Sequence, residues 1–348
     1  MNENVSEALR SLLPNVNINR KYWLVRSMGG DYYDEFINRR YIAIGYNKVS
    51  LSELKLAASY NDEASAQLKQ ILDSKDLKHP DTEEEKYNSR YAVPQMLKFY
   101  SEIKVGDIVV IPGKNSHKVA IAEITSEVYE EEYISPLTGF CQFKKRRNIK
   151  VLERTIRHKL NPEMQLMFNS RHIISNVDKY EEFIEGSVRD FYQKGNVTYL
   201  VLRVKQQDGI SAVDFNVIPE IVNIAYDYLY ENKFDFDKDV VKMKVCVQSP
   251  GDILIYAVQH PWVIFMIGWC IGIIKGGKIN IWDKVTIEIP GHAEILEKIL
   301  KSISDYMDRK LDREIKEILK RKLEKLEIET PEDIKKIQQM INEGRNKY

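Results

Sequence analysis

Neither sign of charge is in excess: 52 Lys and Arg stand against 52 Asp and Glu in 348 residues. That excludes a histone-like polycation, so any nucleic-acid contact must come from a local patch. Cysteine is scarce. Cys141, Cys246 and Cys270 are isolated, with no C-x-x-C spacing, so neither a disulfide framework nor a zinc ribbon is expected, and the thiols suit a reducing compartment. The first residues lack the basic stretch and apolar core of a secretory signal, which makes a cytoplasmic location the expectation. His79, His117, His158, His172, His260 and His292 fall into no H-x-H or H-x-x-x-H pairing, so no metal site is expected. A G-x-S-x-G nucleophile elbow is also missing, as are internal repeats and low-complexity tracts.

A long unbroken apolar run is lacking too. Ile253 to Ile274 holds 22 residues without a formal charge, but Gln259, His260 and Pro261 interrupt it. The 14 clean residues from Pro261 to Ile274 reach about 21 Å as a helix, against a hydrocarbon core of about 30 Å. Two readings stand: a buried core helix, or a segment that touches or enters a membrane.

What is present is a packed, mixed chain, 43 % apolar and 30 % charged, long enough for about two domains. Strands are expected at 21–27 (KYWLVRS), 41–46 (YIAIGY), 105–112, 118–129 and 144–152, from their β-branched and aromatic content. Helical spacing marks 32–39, 51–72 and 92–102, with 73–88 as an exposed polar loop. Residues 161–184 suggest a helical tie. In the second half, strands are expected at 197–205 and 240–248, an amphipathic helix at 212–230 and a hairpin over 278–289. One long helix is expected over 293–326, its apolar stripe running from Leu296 through Leu300, Ile303, Met307, Leu311, Ile315 and Leu319 to Leu326. Thr330-Pro331-Glu332-Asp333 is a capping box that opens a last short helix. The resulting division is 20–160, a 161–196 helical connector, an α+β domain over 197–291 containing the 253–274 segment, and C-terminal helices over 292–348.

Two motif-like strings have plain explanations. Gly272 to Lys278 (GIIKGGK) fits G-x4-G-K spacing, but Ile279 replaces the magnesium-binding hydroxyl and the run precedes a strand. Asp312-Arg313-Glu314-Ile315-Lys316 spells D-x-E-x-K within a helical stretch of balanced charge, where ion pairing accounts for it. No catalytic constellation emerges and no cofactor is implied, so a non-catalytic role is expected.

The strongest electrostatic signal lies between 144 and 159: Lys144, Lys145, Arg146, Arg147, Lys150, Arg154, Arg157 and Lys159 face one acid, Glu153. In a neutral chain this is either a phosphate-binding surface, with Lys144, Lys145, Arg146, Arg147 and Lys150 as contacts, or a strand face paired with the acidic 127–132 segment. Stacking of an extruded base needs aromatic faces, for which Trp23, Tyr46, Tyr87 and Tyr91 are candidates, with Asn88, Ser89 and Arg90 offering donors and acceptors. The competing reading makes Trp23 and Tyr46 barrel core residues, and Asn88 to Arg90 a structural turn.

The order of these segments resembles EVE domains of the PUA-like superfamily. The opening strand Lys21 to Ser27, the Tyr87-Asn88-Ser89-Arg90 element, the following helix, Lys104-Val105-Gly106-Asp107 with its strand, and Ala120 to Ile124 leading to Tyr129 carry the likeness. The wording is nearer still to N-terminal domains of Mrr-type and McrB-associated restriction proteins, through the W-L-V-R strand, I-A-I-G-Y at 42–46 and the basic strand 146–152. Where the family continues into Ser-Glu-Pro, this chain has Met28-Gly29 after Ser27. The resemblance implies an α+β chain: an N-terminal PUA-like (EVE-like) mixed barrel with helices, then a C-terminal α+β domain ending in a long helix. It adds Arg26 and Ser27 to the base-binding set. It also implies nucleic-acid recognition, DNA before RNA and modified DNA above all, in a restriction or anti-phage system with a partner protein. The competing expectation is a nucleic-acid- or nucleotide-sensing effector whose 253–274 segment acts at a membrane. Self-association through 293–326 is expected from its stripe, against fold-back onto the 197–289 sheet.

Overall fold

The computed structural model describes residues 13–78, 88–134, 139–206, 209–234, 236–245, 251–275 and 293–343. The chain divides into two compact units, one of residues 19–188 and one of residues 1–18 with 189–348.

The 19–188 unit is a curled half-barrel sheet with helices on both faces. Its strands are β1 (Tyr22–Val25), β2 (Tyr41–Ile44), β3 (Ile108–Pro112), β4 (Lys118–Ile124), β5 (Tyr129–Glu130), β6 (Lys145–Ile156) and β7 (Ile174–Asn176), in the order β2-β6-β4-β3-β1-β7, with β5 also on β6. β1 and β3 run parallel and the other pairs antiparallel. β1 (YWLV) and β3 (IVVIP) are buried at every position, which is why both read as continuous apolar runs without alternation.

One face of this sheet, with Trp23, Val25, Val109, Ile111, Ala120 and Ala122, packs against four helices. These are α1 (Tyr33–Arg39), α2 (Leu51–Ala58), α3 (Ala64–Lys78) and α4 (Ser89–Leu97). The expected 51–72 helix is therefore two, and the helix ending at Lys78 takes up the start of the expected 73–88 loop; 79–87 lie outside the described residues. The other face, with Tyr22, Leu24, Ile108, Val110, Val119 and Ile121, is covered by Met164, Met167, Phe168, Tyr180 and Ile184. These belong to α5 (Pro162–Gln165), the turns after it, and α6 (Glu181–Val188). Most of the stretch read as a connector, 161–196, is thus a layer of this unit, while its last residues belong to the other unit.

Asp107 explains the Gly-Asp turn. Its carboxylate accepts from the Lys21 and Lys104 backbone N–H groups and from Trp23 Nε1, at 2.9–3.0 Å. Gly106 supplies the left-handed φ of 92° that the turn needs.

In the second unit, Asn15–Val16 pairs with β8 (Phe191–Lys194), followed across the sheet by β9 (Val197–Val204), β11 (Gly251–Val258) and the edge strand β10 (Val241–Val245). Over it lie α7 (Ala212–Phe215), α8 (Val217–Glu231), α9 (Pro261–Ile274), α10 (Ala293–Lys310), α11 (Arg313–Lys325) and α12 (Glu332–Glu343). The expected 278–289 hairpin and Cys246 lie outside the described residues.

Two expectations about this unit are corrected. The buried-core-helix reading of the 253–274 run holds for Pro261–Ile274 only. The run is most of β11 followed by α9, with Pro261 in the first helical turn and all residues of α9 buried in the unit's core. No described helix is long and apolar enough to cross a membrane. The single long helix is two, because Asp312 accepts from the Ile315 N–H at 2.9 Å and starts α11 afresh. Leu300, Ile303, Met307, Leu311, Leu319 and Leu326 of the expected seam are buried in the unit's own core, whereas Ile315 is largely exposed. Apart from Ile315 and from Leu296, whose side chain lies outside the described ones, the stripe thus packs within its own unit.

Candidate functional site

The basic run occupies β6, and the neighbours of that strand sort its side chains. At Lys145 and Arg146, β6 lies between β2 and β5. From Ile149 to Ile156 it pairs with β4 alone, since β2 ends opposite Asn148.

In the first part the cations are internal. Lys145 and Arg147 are fully buried and Arg146 nearly so. Lys145 Nζ donates to the carbonyls of Tyr46 and Val49 at 2.9 and 2.7 Å. Burial pushes its ammonium down to about 8. Arg146 lies 4.2 Å over the Tyr41 ring and donates to the Phe143 carbonyl and to Glu131. Arg147 spreads its fork over the carbonyls of Phe99, Tyr100, Ile103 and Ser126, at 2.8–3.1 Å. Three of those carbonyls end the α4 helix, which finishes in a π turn over Lys98–Glu102, so a side chain satisfies groups that a helix end leaves open. The expected phosphate contacts at Lys145, Arg146 and Arg147 are therefore replaced by internal ones. Lys144 is exposed beside them.

In the second part Lys150, Arg154 and Lys159 are exposed, while Arg157 lies over the Phe168 ring and donates to the Gln165 carbonyl. Beyond Asn148 the open edge of β6 walls two adjoining grooves that share Glu153 and Arg154, with volumes of about 590 and 530 Å³; helix α1 forms the other wall of the second only. Arg40, Lys150 and Arg154 line the first. Lys118, Arg154 and Lys159 line the second, with Tyr33, Asp34 and Asn38 from α1. Five cations thus face two acids. One of those acids, Asp34, lies 3.5 Å from Lys118 in an exposed pair, which holds little energy. A bulge at Leu152, where Ile121 faces Glu153 and Ala122 faces Val151, shifts the register and sends Arg154 to the α1 side, toward Tyr33. Arg40 takes the left-handed C-cap of α1, φ 59°, which carries the chain from helix to strand at the groove. His117 and His158 come together at the groove's end with ring centroids 6.3 Å apart. No group of three or more metal-capable side chains occurs among the described residues.

The residues expected to form a base pocket do not converge. Trp23 is in the core, tied to Asp107, and Ser27 is buried with its hydroxyl donating to the Pro112 carbonyl. Tyr46 sits past the end of β2, its carbonyl holding Lys145. Asn88 caps α4 by accepting from the Arg90 N–H, with Ser89 opening the helix and Arg90 exposed. Tyr87 lies outside the described residues. Arg26 and Tyr91 do meet. Arg26 donates to the Phe168 and Ser170 carbonyls, Tyr91 to that of Arg171, and the Tyr91 ring stacks on His172 at 5.4 Å. Sequence reasoning missed Arg40 and Lys118, which lie far from the basic run in the chain and only fold up beside it. Their one signal was position, each bordering a strand.

Residues 21–174 match the model of a family described as a domain of unknown function, DUF8426. The match falls within the 19–188 unit and covers less than half of the chain. No curated protein matches the chain.

Proposed function

We propose that the 19–188 unit is a PUA-like (EVE-like), non-catalytic module that binds nucleic acid, DNA in preference to RNA, with the phosphate backbone along the two adjoining grooves at the open edge of β6. The observation that carries this reading is the groove's own charge: Arg40, Lys118, Lys150, Arg154 and Lys159 against Asp34 and Glu153, in a chain whose net charge is zero. A local cluster of this kind attracts a polyanion where the whole chain does not. Of the expected aromatic faces among the described residues, Tyr91, half-exposed beside His172, is the one open to a base. The motifs shared with restriction-associated domains support a setting in anti-phage defence, with modified DNA as the ligand and a second protein of that system as partner. The membrane-acting alternative is not favoured by any observation, since its segment is a strand and a buried helix.

Fluorescence anisotropy of the full chain with short labelled DNA duplexes, plain and base-modified, and with RNA, tests the reading. With three to four phosphates neutralised, at about 0.9 per phosphate, affinity falls roughly 50-fold or more between about 50 and 200 mM salt. Lys150→Glu with Arg154→Glu lowers affinity by roughly 10- to 100-fold. A wild-type log–log slope near zero overturns the proposal.

A further inference from the structure

Two short loops close the C-terminal ends of the parallel strands β1 and β3, and both are built from backbone in an unusual conformation. In the first, Met28, Gly29 and Gly30 have φ of 51°, 66° and 104°; in the second, Asn115 and Ser116 have φ of 53° and 55°. For residues other than glycine this left-handed region is costly and persists only where the surroundings enforce it. Here they do. A Cβ on Gly30 would lie 2.1 Å from the Lys114 backbone nitrogen, so the two loops touch main chain to main chain. Ser27 fastens them by donating to the Pro112 carbonyl at 3.0 Å.

The result is a rigid tip, and what it presents is Met28, 54 % exposed. The tip borders the basic groove: a Cβ on Gly113 would meet Tyr33 and Lys118, both of which line it. His117, on the second loop, stands beside His158, next to Lys159. Proteins that kink DNA insert exposed apolar side chains, methionine among them, between base steps, and Met28 stands in such an exposed position beside the basic groove. A linear side chain such as methionine fits between base pairs and kinks the duplex.

We propose that Met28 is such a wedge: with the DNA backbone in the groove, the Met28 side chain enters a base step and unstacks it. This rests on the nucleic-acid reading above and adds to it the deformation of a duplex.

Full-length protein is titrated into a DNA duplex carrying 2-aminopurine, whose fluorescence rises on unstacking, while anisotropy on the same duplex reports binding. The wild type is expected to raise the 2-aminopurine signal several-fold at saturation. Met28→Ala should bind within about tenfold of wild type yet leave the signal near that of free duplex, and Met28→Leu should restore it. The thermal midpoint of each variant should match wild type, because Met28 is exposed. An equal signal from wild type and Met28→Ala at saturation overturns the wedge. So does salt-dependent binding by the wild type with no signal, which leaves the groove reading standing. Failure of the wild type to bind any duplex overturns both.

Discussion

Lys145 to Arg147 and Lys150 to Lys159 belong to one basic run and largely to one strand, yet the structure gives them opposite uses. In the first stretch β6 has a strand on each side at Lys145 and Arg146 and the end of α4 against Arg147, and the cations turn inward to meet main-chain carbonyls. In the second it has β4 alone, and Lys150 and Arg154 turn to a groove. The chemistry of the side chains is the same; what packs around each stretch of the strand differs. A run of positive charge in a sequence therefore marks a surface only where the sheet leaves one. Buried cations cost desolvation and persist because carbonyls that would otherwise be orphaned accept from them.

The sharpest way to break this contrast is at Arg147. Arg147→Ala is expected to destabilise the protein by about 3–5 kcal/mol, because it leaves the carbonyls of Phe99, Tyr100, Ile103 and Ser126 without donors. Chemical denaturation measures it; a loss under about 1 kcal/mol would mean water takes over the role. Arg147→Lys keeps the charge and loses the fork, so it should recover less than half of the loss.

Lys145 is separated from the groove cations by pH. Its folded pKa, about 8, lies below the ordinary 10.5, so between these values the unfolded chain holds a proton that the folded chain has released. Stability from this group therefore rises with pH across that window. The stability difference between wild type and Lys145→Met should move in favour of wild type by roughly 2–3 kcal/mol from about pH 7.5 to 10. A flat difference would place the ammonium in solvent. Wild type alone is a poorer probe, because buried groups such as Tyr306, pushed up to about 12, pull the other way above pH 10.

Lys150→Glu with Arg154→Glu should do the reverse of Arg147→Ala: unfolding free energy within about 0.5 kcal/mol of wild type, and DNA affinity down by roughly 10- to 100-fold. Loss of both would erase the distinction. The smallest effect belongs to Lys144, exposed at the start of the run and outside the groove lining. Lys144→Ala should change stability by less than about 0.5 kcal/mol and leave DNA affinity within about twofold.

Local pattern carried much of the architecture. Apolar alternation and β-branched runs located β1, β3, β4 and β9, and the 3.6-residue stripe located α8, because each of these signals is completed within a few residues of chain. The breaks were harder. Pro261 marked the start of α9, and the interruption at Gln259-His260-Pro261 was visible, but a strand and a helix of equal apolarity look alike until their partners are known. Asp312 is a good N-cap with Glu314 in the first turn after it, yet the even spacing of leucines on either side hid it.

The site was legible in part only. Lys150, Arg154 and Lys159 stood in the run from the start, but nothing local says that a strand loses a neighbour at Asn148, and Arg40 and Lys118 join the groove only through tertiary folding. Trp23 met the expectations for a stacking residue and also for a core residue. Asp107, from a turn far along the chain, takes its indole N–H and fixes it in the core.

The pairing of Asn15–Val16 with Gln193–Lys194 has a consequence for the order of events during synthesis. The chain of one unit is interrupted by the whole of the other, so a growing polypeptide must make residues 19–188 before Asn15 can find its partner. At about 5–20 residues per second, the intervening stretch of about 180 residues imposes a wait of roughly 10–35 s. The inserted unit has its full sequence outside the ribosome well before the enclosing one, whose α12 follows by about 150 residues more. The ribosome thus sets a sequence of assembly, with the half-barrel first and the helix-covered sheet closing behind it.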